Sequence, residues 1–155
     1  ITKASIHFHY ATKAALAVAV LRAHRQGLAH AMESLDANFA DPAQRLQTYV
    51  TYWEGCIRDR SIPFCVAALL AAELPALPNE VQAEVRSHFQ VLSAWMQRTL
   101  EAGVKQGTIR LESPAASEAQ MLMATVHGAM LSARVSGNCD VFQLATASAL
   151  KRITP

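Results

Sequence analysis

Apolar residues recur three and four positions apart along most of the chain, which is the spacing of one face of an α-helix. Thr12 is a favourable N-cap, and the apolar stripe that follows it predicts a long helix ending near Asn38. The stripe consists of Ala15, Leu16, Ala19, Val20, Ala23, Gly27, Leu28 and Ala31.

Five further helices follow from the same spacing and from their start and stop signals. Asp41 and Pro42 supply a capping carboxylate and a proline suited to a first helical turn, and Gly107 and Gly137 are C-terminal stops. No alternating strand pattern of useful length appears. The sequence therefore predicts an all-α fold, with helices after the first at 42–57, 63–74, 79–106, 114–136 and 141–153.

Composition supports a folded helical protein and limits what else the chain can be. Apolar residues make up 52% of the 155 positions, with only six glycines and six prolines. The longest apolar run, 64–72, is about half of the roughly 20 residues that span a bilayer, and the N-terminus has no signal-peptide pattern, so we expect a cytoplasmic protein. Cys56, Cys65 and Cys139 match no disulfide or zinc spacing, so we expect reduced thiols, no metal site and no cofactor.

Positive charge is concentrated at the N-terminal end of the chain. The net charge is +2, but residues 1–32 contain Lys3, Lys13, Arg22 and Arg25 and no acidic residue. The remaining 10 basic and 12 acidic residues sum to −2. This asymmetry indicates either an anionic partner near the N-terminus or an ordinary solvated helix face.

The first sixteen residues, ITKASIHFHYATKAAL, resemble the end of the helix-turn-helix of the TetR family of transcription regulators, whose pattern is roughly VSKGTLYxHFxSKxxL. The resemblance implies a TetR-like helical bundle in which 1–38 form the end of the DNA-binding head and the connecting helix, and 39–155 form an effector-binding and dimerisation domain. It also implies that two more helices precede Ile1. The residues it places on operator DNA are Thr2, Lys3, Ser5, His7, Phe8, His9 and Lys13.

No nucleophile elbow, phosphate-binding glycine loop or zinc-protease motif occurs, which argues against an enzyme. The main hypothesis is a homodimeric repressor that a small apolar or electrophilic effector releases from double-stranded operator DNA. The alternative is a helical carrier or scavenger of small molecules without a DNA function.

Aromatic and sulfur-containing residues on four predicted helices are candidates for the wall of an effector pocket, although ordinary core packing explains each of them equally well. His88 and His127 lie among apolar neighbours, as core histidines or as ligand contacts. The candidate set is Tyr49, Trp53, Cys56, Phe64, Cys65, Phe89, Leu92, Trp95, Met96, Met123, His127 and Met130.

Cys65 has three possible roles. Residues 65–85 resemble the matching part of a TetR subgroup that senses electrophiles, the N-ethylmaleimide reductase repressors, in which a cysteine at this place is the sensor. A thiol in the first turn of a helix faces free N–H groups that favour thiolate, whereas apolar neighbours disfavour it. A reactive sensor, an inert buried thiol and a passive pocket residue therefore all remain open.

Small side chains on the last two predicted helices allow close helix packing, and the resemblance implies that these helices pair across a twofold axis. The predicted interface residues are Leu122, Val126, Ala129, Ala133, Leu144, Ala145, Ser148 and Ala149, with Met130 beside them.

Overall fold

The computed structural model describes residues 9–62 and 64–155, and in these ranges the chain is helical without any strand. A turn of 3₁₀-helix, Leu74–Ala76, precedes the fourth α-helix. None of the described helices has both the length and the apolar character needed to cross a membrane. The all-α prediction is confirmed, with α1 at Lys13–Asn38, α2 at Pro42–Asp59, α3 at Val66–Ala72, α4 at Asn79–Gln106, α5 at Ala115–Ser136 and α6 at Asp140–Ile153.

The first two helices begin where the capping residues predict. The Thr12 hydroxyl accepts the N–H of Ala15 at 3.0 Å, and the Asp41 carboxylate accepts the N–H of Ala43 at 2.9 Å. Each bond satisfies one of the N–H groups that a helix N-terminus leaves free.

The later boundaries agree at the glycines and differ at α3. Gly107 and Gly137 end α4 and α5 in the left-handed conformation, with φ of 77° and 66°. α3 is shorter than the predicted 63–74 segment, since it begins after Cys65 and ends at Ala72. Pro75 explains the early end, because its ring would clash with a carbonyl four residues earlier in a continued helix.

α4 is the central helix and packs against α1, α2, α3 and α5. Its residues Trp95, Met96 and Leu100 are each at most 1% exposed. α5 and α6 pack on each other, with Met130 and Phe142 fully buried between the helices. The core thus extends from α4 to α6.

Two carboxylates tie helices together across the bundle. Glu84 of α4 accepts hydrogen bonds from Arg22 at 2.6 Å and from Arg25 at 3.2 Å, both on α1. Glu118 of α5 is paired in the same way with Arg152 of α6. Two of the four N-terminal cations are therefore used inside the chain, which neither explanation of the charge asymmetry anticipated.

Candidate functional site

A cavity of about 580 Å³ lies between α1 and α4, with parts of α2, α5 and the segment before α3 completing its wall. Its size falls within the range of small-molecule pockets, roughly 300–1,000 Å³. The lining residues are Ala23, His24, Gly27, Leu28, Ala31, Ser34, Leu35, Thr48, Tyr49, Tyr52, Trp53, Ile62, Cys65, His88, Leu92 and His127.

Small residues on α1 create this space. Ala23, Gly27 and Ala31 lie one helical turn apart and therefore share the face that looks into the cavity. A Cβ atom built on Gly27 would meet no atom within 4 Å. The facing side chains from α2 and α4, including Trp53 and Leu92, are large, so the cavity exists because α1 does not fill the gap.

Imidazole and thiol groups form the polar part of the wall. The Sγ atom of Cys65 lies 3.8 Å from Nε2 of His24 and 3.7 Å from Nε2 of His88. The rings of these two histidines stack with centroids 5.0 Å apart. His127 donates from Nδ1 to the Met123 carbonyl at 2.8 Å, which leaves the lone pair on its other ring nitrogen.

Burial keeps these groups uncharged at neutral pH. Desolvation lowers the pKa of His24 and His127, and together with the neighbouring His24, His127 and Arg25 it lowers the pKa of His88 to about 4. Burial likewise raises the pKa of the Cys65 thiol, and this effect outweighs the opposing N–H groups of Ala67 and Ala68. A neutral, mainly apolar ligand is the best match to such a wall.

A comparison with known protein families identifies the family of this chain. A family model described as the tetracyclin repressor-like C-terminal domain matches residues 42–149, more than half of the chain. The chain belongs to the TetR family. This family consists of transcription regulators and not enzymes, which favours a DNA-binding regulator over the carrier and enzyme hypotheses. A comparison with curated proteins found no match.

Solved structures agree with the family assignment. A TetR-family transcriptional regulator from Agrobacterium tumefaciens is 46% identical, with a TM-score of 0.97 over 100% of this chain and 82% of its own. A TetR regulator from Legionella pneumophila is 22% identical, with a TM-score of 0.87 over 99% and 81%. E. coli NemR in its reduced form is also 22% identical, with a TM-score of 0.83 over 100% and 82%. The last two matches show the fold alone.

In this TetR-family protein, five of the twelve predicted pocket residues line the cavity: Tyr49, Trp53, Cys65, Leu92 and His127. The other seven are not part of its wall, because their side chains pack within the bundle. They are Cys56, Phe64, Phe89, Trp95, Met96, Met123 and Met130.

Sequence reasoning missed the α1 wall altogether and left His88 undecided. His88 is 2% exposed and lines the cavity, and His24 faces it from α1. The available signal was the run of small residues on α1, which was counted as an ordinary core stripe. Empty space has no residue type of its own, so only the packed structure reveals it.

The predicted DNA contacts lie at or before the start of α1. His9 and Lys13 are exposed, and Lys13 is the first residue of that helix. The remaining predicted contacts lie outside the described residues: Thr2, Lys3, Ser5, His7 and Phe8.

The surface of α5 requires a correction to the predicted dimer interface. Val126, Ala129 and Ala133 are at most 5% exposed within the single chain and face its own core, whereas Leu122, also 5% exposed, borders the groove between α5 and α6. This groove is lined partly by Leu122 of α5 and by Ala145, Ser148 and Ala149 of α6. The exposed large apolar residues of these two helices are Met121, Leu131, Val135 and Leu144.

Proposed function

We propose that this TetR-family protein is a repressor that leaves its operator when a small, neutral, mainly apolar effector enters the cavity between α1 and α4. The observation that supports this proposal most directly is that α1 forms one wall of the cavity. α1 is also the helix that follows the segment resembling a recognition helix. A ligand that separates α1 from α4 therefore acts on the element that joins the two functions.

We divide the chain into a head with its connecting helix, 1–38, and a regulatory domain, 39–155. α1 ends at Asn38 and packs along α4 through apolar contacts, with polar contacts added beside the cavity. Glu84 forms ion pairs with Arg22 and Arg25 beside the cavity. His24 lies between the two arginines in sequence. A ligand that binds better when α1 has moved will shift the population toward that state.

The chemistry of the wall favours reversible binding over covalent capture of an electrophile. Cys65 is 1% exposed and its pKa is raised, so the reactive thiolate is scarce at neutral pH. Modification of Cys65 by an electrophile is the competing effector mechanism.

A cavity-filling variant tests the proposal without knowledge of the effector. Phenylalanine in place of Gly27 has room to enter the cavity, because no atom would contact its Cβ. We expect Gly27→Phe to mimic a bound effector and weaken operator binding by about 10-fold, which corresponds to about 1.4 kcal/mol. Fluorescence anisotropy of the full-length protein on an operator selected from random duplex DNA measures this change.

Ala37→Phe is the matched control, since Ala37 is an exposed α1 residue outside the cavity wall. Operator affinity that is unchanged in Gly27→Phe, or reduced equally in both variants, contradicts control through the cavity.

We further propose that the outward face of α5 and α6 forms a twofold dimer interface. Val135 near the end of α5 and Leu144 on α6 are 81% and 76% exposed, which is a high exposure for aliphatic side chains. A groove of about 480 Å³ between the helices is lined partly by Ala145 and Ala149, whose small side chains allow close approach. A dimer also fits two half-sites on a palindromic operator.

Introducing a charge into the apolar surface tests this interface. Leu144→Glu places a carboxylate in the proposed contact, and we expect the dimer dissociation constant to rise at least about 100-fold, or about 2.7 kcal/mol. Sedimentation velocity over a concentration series measures the change. Leu69→Glu, at a 44% exposed residue on α3, is the control and should remain dimeric. Wild-type protein that is monomeric at micromolar concentration would disprove the interface.

A further inference from the structure

Three side chains with metal-binding chemistry meet at one point of the cavity wall. They are His24 of α1, Cys65 immediately before α3 and His88 of α4, and their ligand atoms all lie within 4.8 Å of one another. The residues are 41 and 23 positions apart in sequence, so no spacing motif reveals them. The expectation that the chain has no metal site was based on such motifs alone.

The two sulfur–nitrogen distances of the cluster are close to those of a tetrahedral metal centre. With a zinc–sulfur bond of about 2.3 Å and zinc–nitrogen bonds of about 2.0–2.1 Å, a tetrahedron has sulfur–nitrogen edges of roughly 3.6 Å. The observed separations of Cys65 Sγ from the two Nε2 atoms are 3.8 and 3.7 Å. The two rings are nearly parallel, at 12°, so binding requires rotation of an imidazole to aim both nitrogens at one ion.

The ring nitrogens of the two histidines are available to a metal ion. Neutral imidazole is the form that ligates metals, and Nε2 of each ring faces the Cys65 sulfur. Nδ1 of His88 is buried and makes no hydrogen bond with the described residues, so the ring proton can lie there while Nε2 presents its lone pair. Arg25, whose charge acts on His88, is paired with Glu84 at 3.2 Å, and the carboxylate offsets part of that charge.

We propose that His24, Cys65 and His88 bind a single zinc-type divalent ion, with the fourth coordination position open to the cavity. A thiolate with two imidazoles is a donor set that favours zinc over the oxygen-preferring ions magnesium and calcium. Binding exchanges the thiol proton of Cys65 for the metal, and that proton passes to the solvent. The ion would connect α1, α3 and α4 at the cavity wall and offer its open position to a ligand.

This site goes beyond the proposed effector response and does not depend on it, because its test measures metal binding directly. The full-length protein, stripped of metal, is titrated with Zn²⁺ in competition with a chromophoric chelator. A parallel titration with Co²⁺ reports sulfur coordination through a thiolate-to-cobalt charge-transfer band. We expect one Zn²⁺ per chain and a cobalt band typical of a tetrahedral site with one thiolate.

Cys65→Ser should weaken Zn²⁺ binding by at least about 100-fold and abolish the cobalt charge-transfer band, since serine is a poor ligand for these ions. Cys56→Ser is the matched control, because Cys56 is also a buried cysteine but lies outside the cluster, and its affinity should stay within about threefold of wild type. His24→Ala removes a ligand from the half-buried α1 position and should weaken binding by at least about 10-fold.

A measurement on the unaltered protein covers the case in which Cys65→Ser does not fold. Bound Zn²⁺ should protect Cys65 from alkylation by iodoacetamide, as mapped by peptide mass spectrometry, while the rates at Cys56 and Cys139 stay unchanged. The proposal is overturned if wild-type protein binds no Zn²⁺ at micromolar concentration, if the cobalt band persists in Cys65→Ser, or if zinc leaves alkylation of Cys65 unaffected.

Discussion

The two sides of α4 are packed in opposite ways. Toward α5 and α6 the bundle is solid, with Leu100, Met130 and Phe142 fully buried. Toward α1 it leaves a cavity of about 580 Å³ that is open to solvent, and part of the contact between the helices depends on the pairing of Glu84 with two arginines. Close packing resists displacement, whereas a partly hollow interface can change its spacing at a smaller cost. The difference indicates which helix can move when a ligand binds.

The largest expected effect comes from a cavity created on the close-packed side of α4, toward α5 and α6. Leu100→Ala removes a fully buried side chain, and we expect the free energy of unfolding to fall by about 2–5 kcal/mol. Leu92→Ala is the matched variant on the same helix; Leu92 is 1% exposed but borders the cavity, so the space left by its side chain joins a cavity that already exists. Its cost should be less than half as large. Urea denaturation measures both values, and equal losses would remove the contrast between the two sides.

The second effect concerns the buried carboxylate that joins α5 to α6. Arg152 holds the pKa of Glu118 below its ordinary value, so the pair stabilises the fold fully above the unfolded pKa of about 4.3 and loses this contribution as pH falls through the folded pKa. Glu118→Gln should therefore lower the free energy of unfolding by about 1.5–3 kcal/mol at pH 7. The difference from wild type should shrink on acidification toward pH 3.

Glu84→Gln is the corresponding change on the hollow side. Its partner Arg22 is 61% exposed, so solvent and salt screen that pair and the loss at pH 7 should be smaller than for Glu118→Gln. Denaturation curves collected from pH 7 to pH 3 decide the order. A larger loss in Glu84→Gln would mean that the α1 contact is the stronger of the two.

The last comparison tests how closely the chain packs at the end of α4. A Cβ atom on Gly103 would lie 2.8 Å from Cβ of Ile109, a distance that side-chain rotation alone cannot relieve. Gly103→Ala should cost about 1–3 kcal/mol of unfolding free energy. Gly55→Ala, in the exposed interior of α2 with no atom near the new methyl group, should instead stabilise by about 0.5–1 kcal/mol. Thermal unfolding of both variants gives the two signs.

Local signals in the sequence were sufficient to predict the helices. Thr12, Asp41, Gly107 and Gly137 act on backbone groups within a few residues, so their effect can be read without knowledge of the fold. The head and domain boundaries carry no such local test and stay predictions, as does the likeness of Cys65 to an electrophile sensor.

Tertiary features were predicted only in part. α5 has apolar residues on both faces, Val126 inward and Val135 outward, so periodicity alone does not decide which stripe meets the core. The cluster of His24, Cys65 and His88 depends on how three elements pack, and sequence distance hides it. The pairing of Arg22 and Arg25 with Glu84 was hidden for the same reason.

The position along α1 of the ion pairs with Glu84 has a mechanical consequence. These ion pairs hold the helix at Arg22 and Arg25. Most of the cavity wall that α1 supplies lies C-terminal to them, toward Leu35. On the other side, Lys13 is nine residues from Arg22, or about 13 Å along the axis. If α1 pivots where Glu84 pairs with it, a tilt of about 5° would displace the Lys13 end by roughly 1 Å. In a twofold dimer the opposite swing of the partner would double the change in distance between the heads.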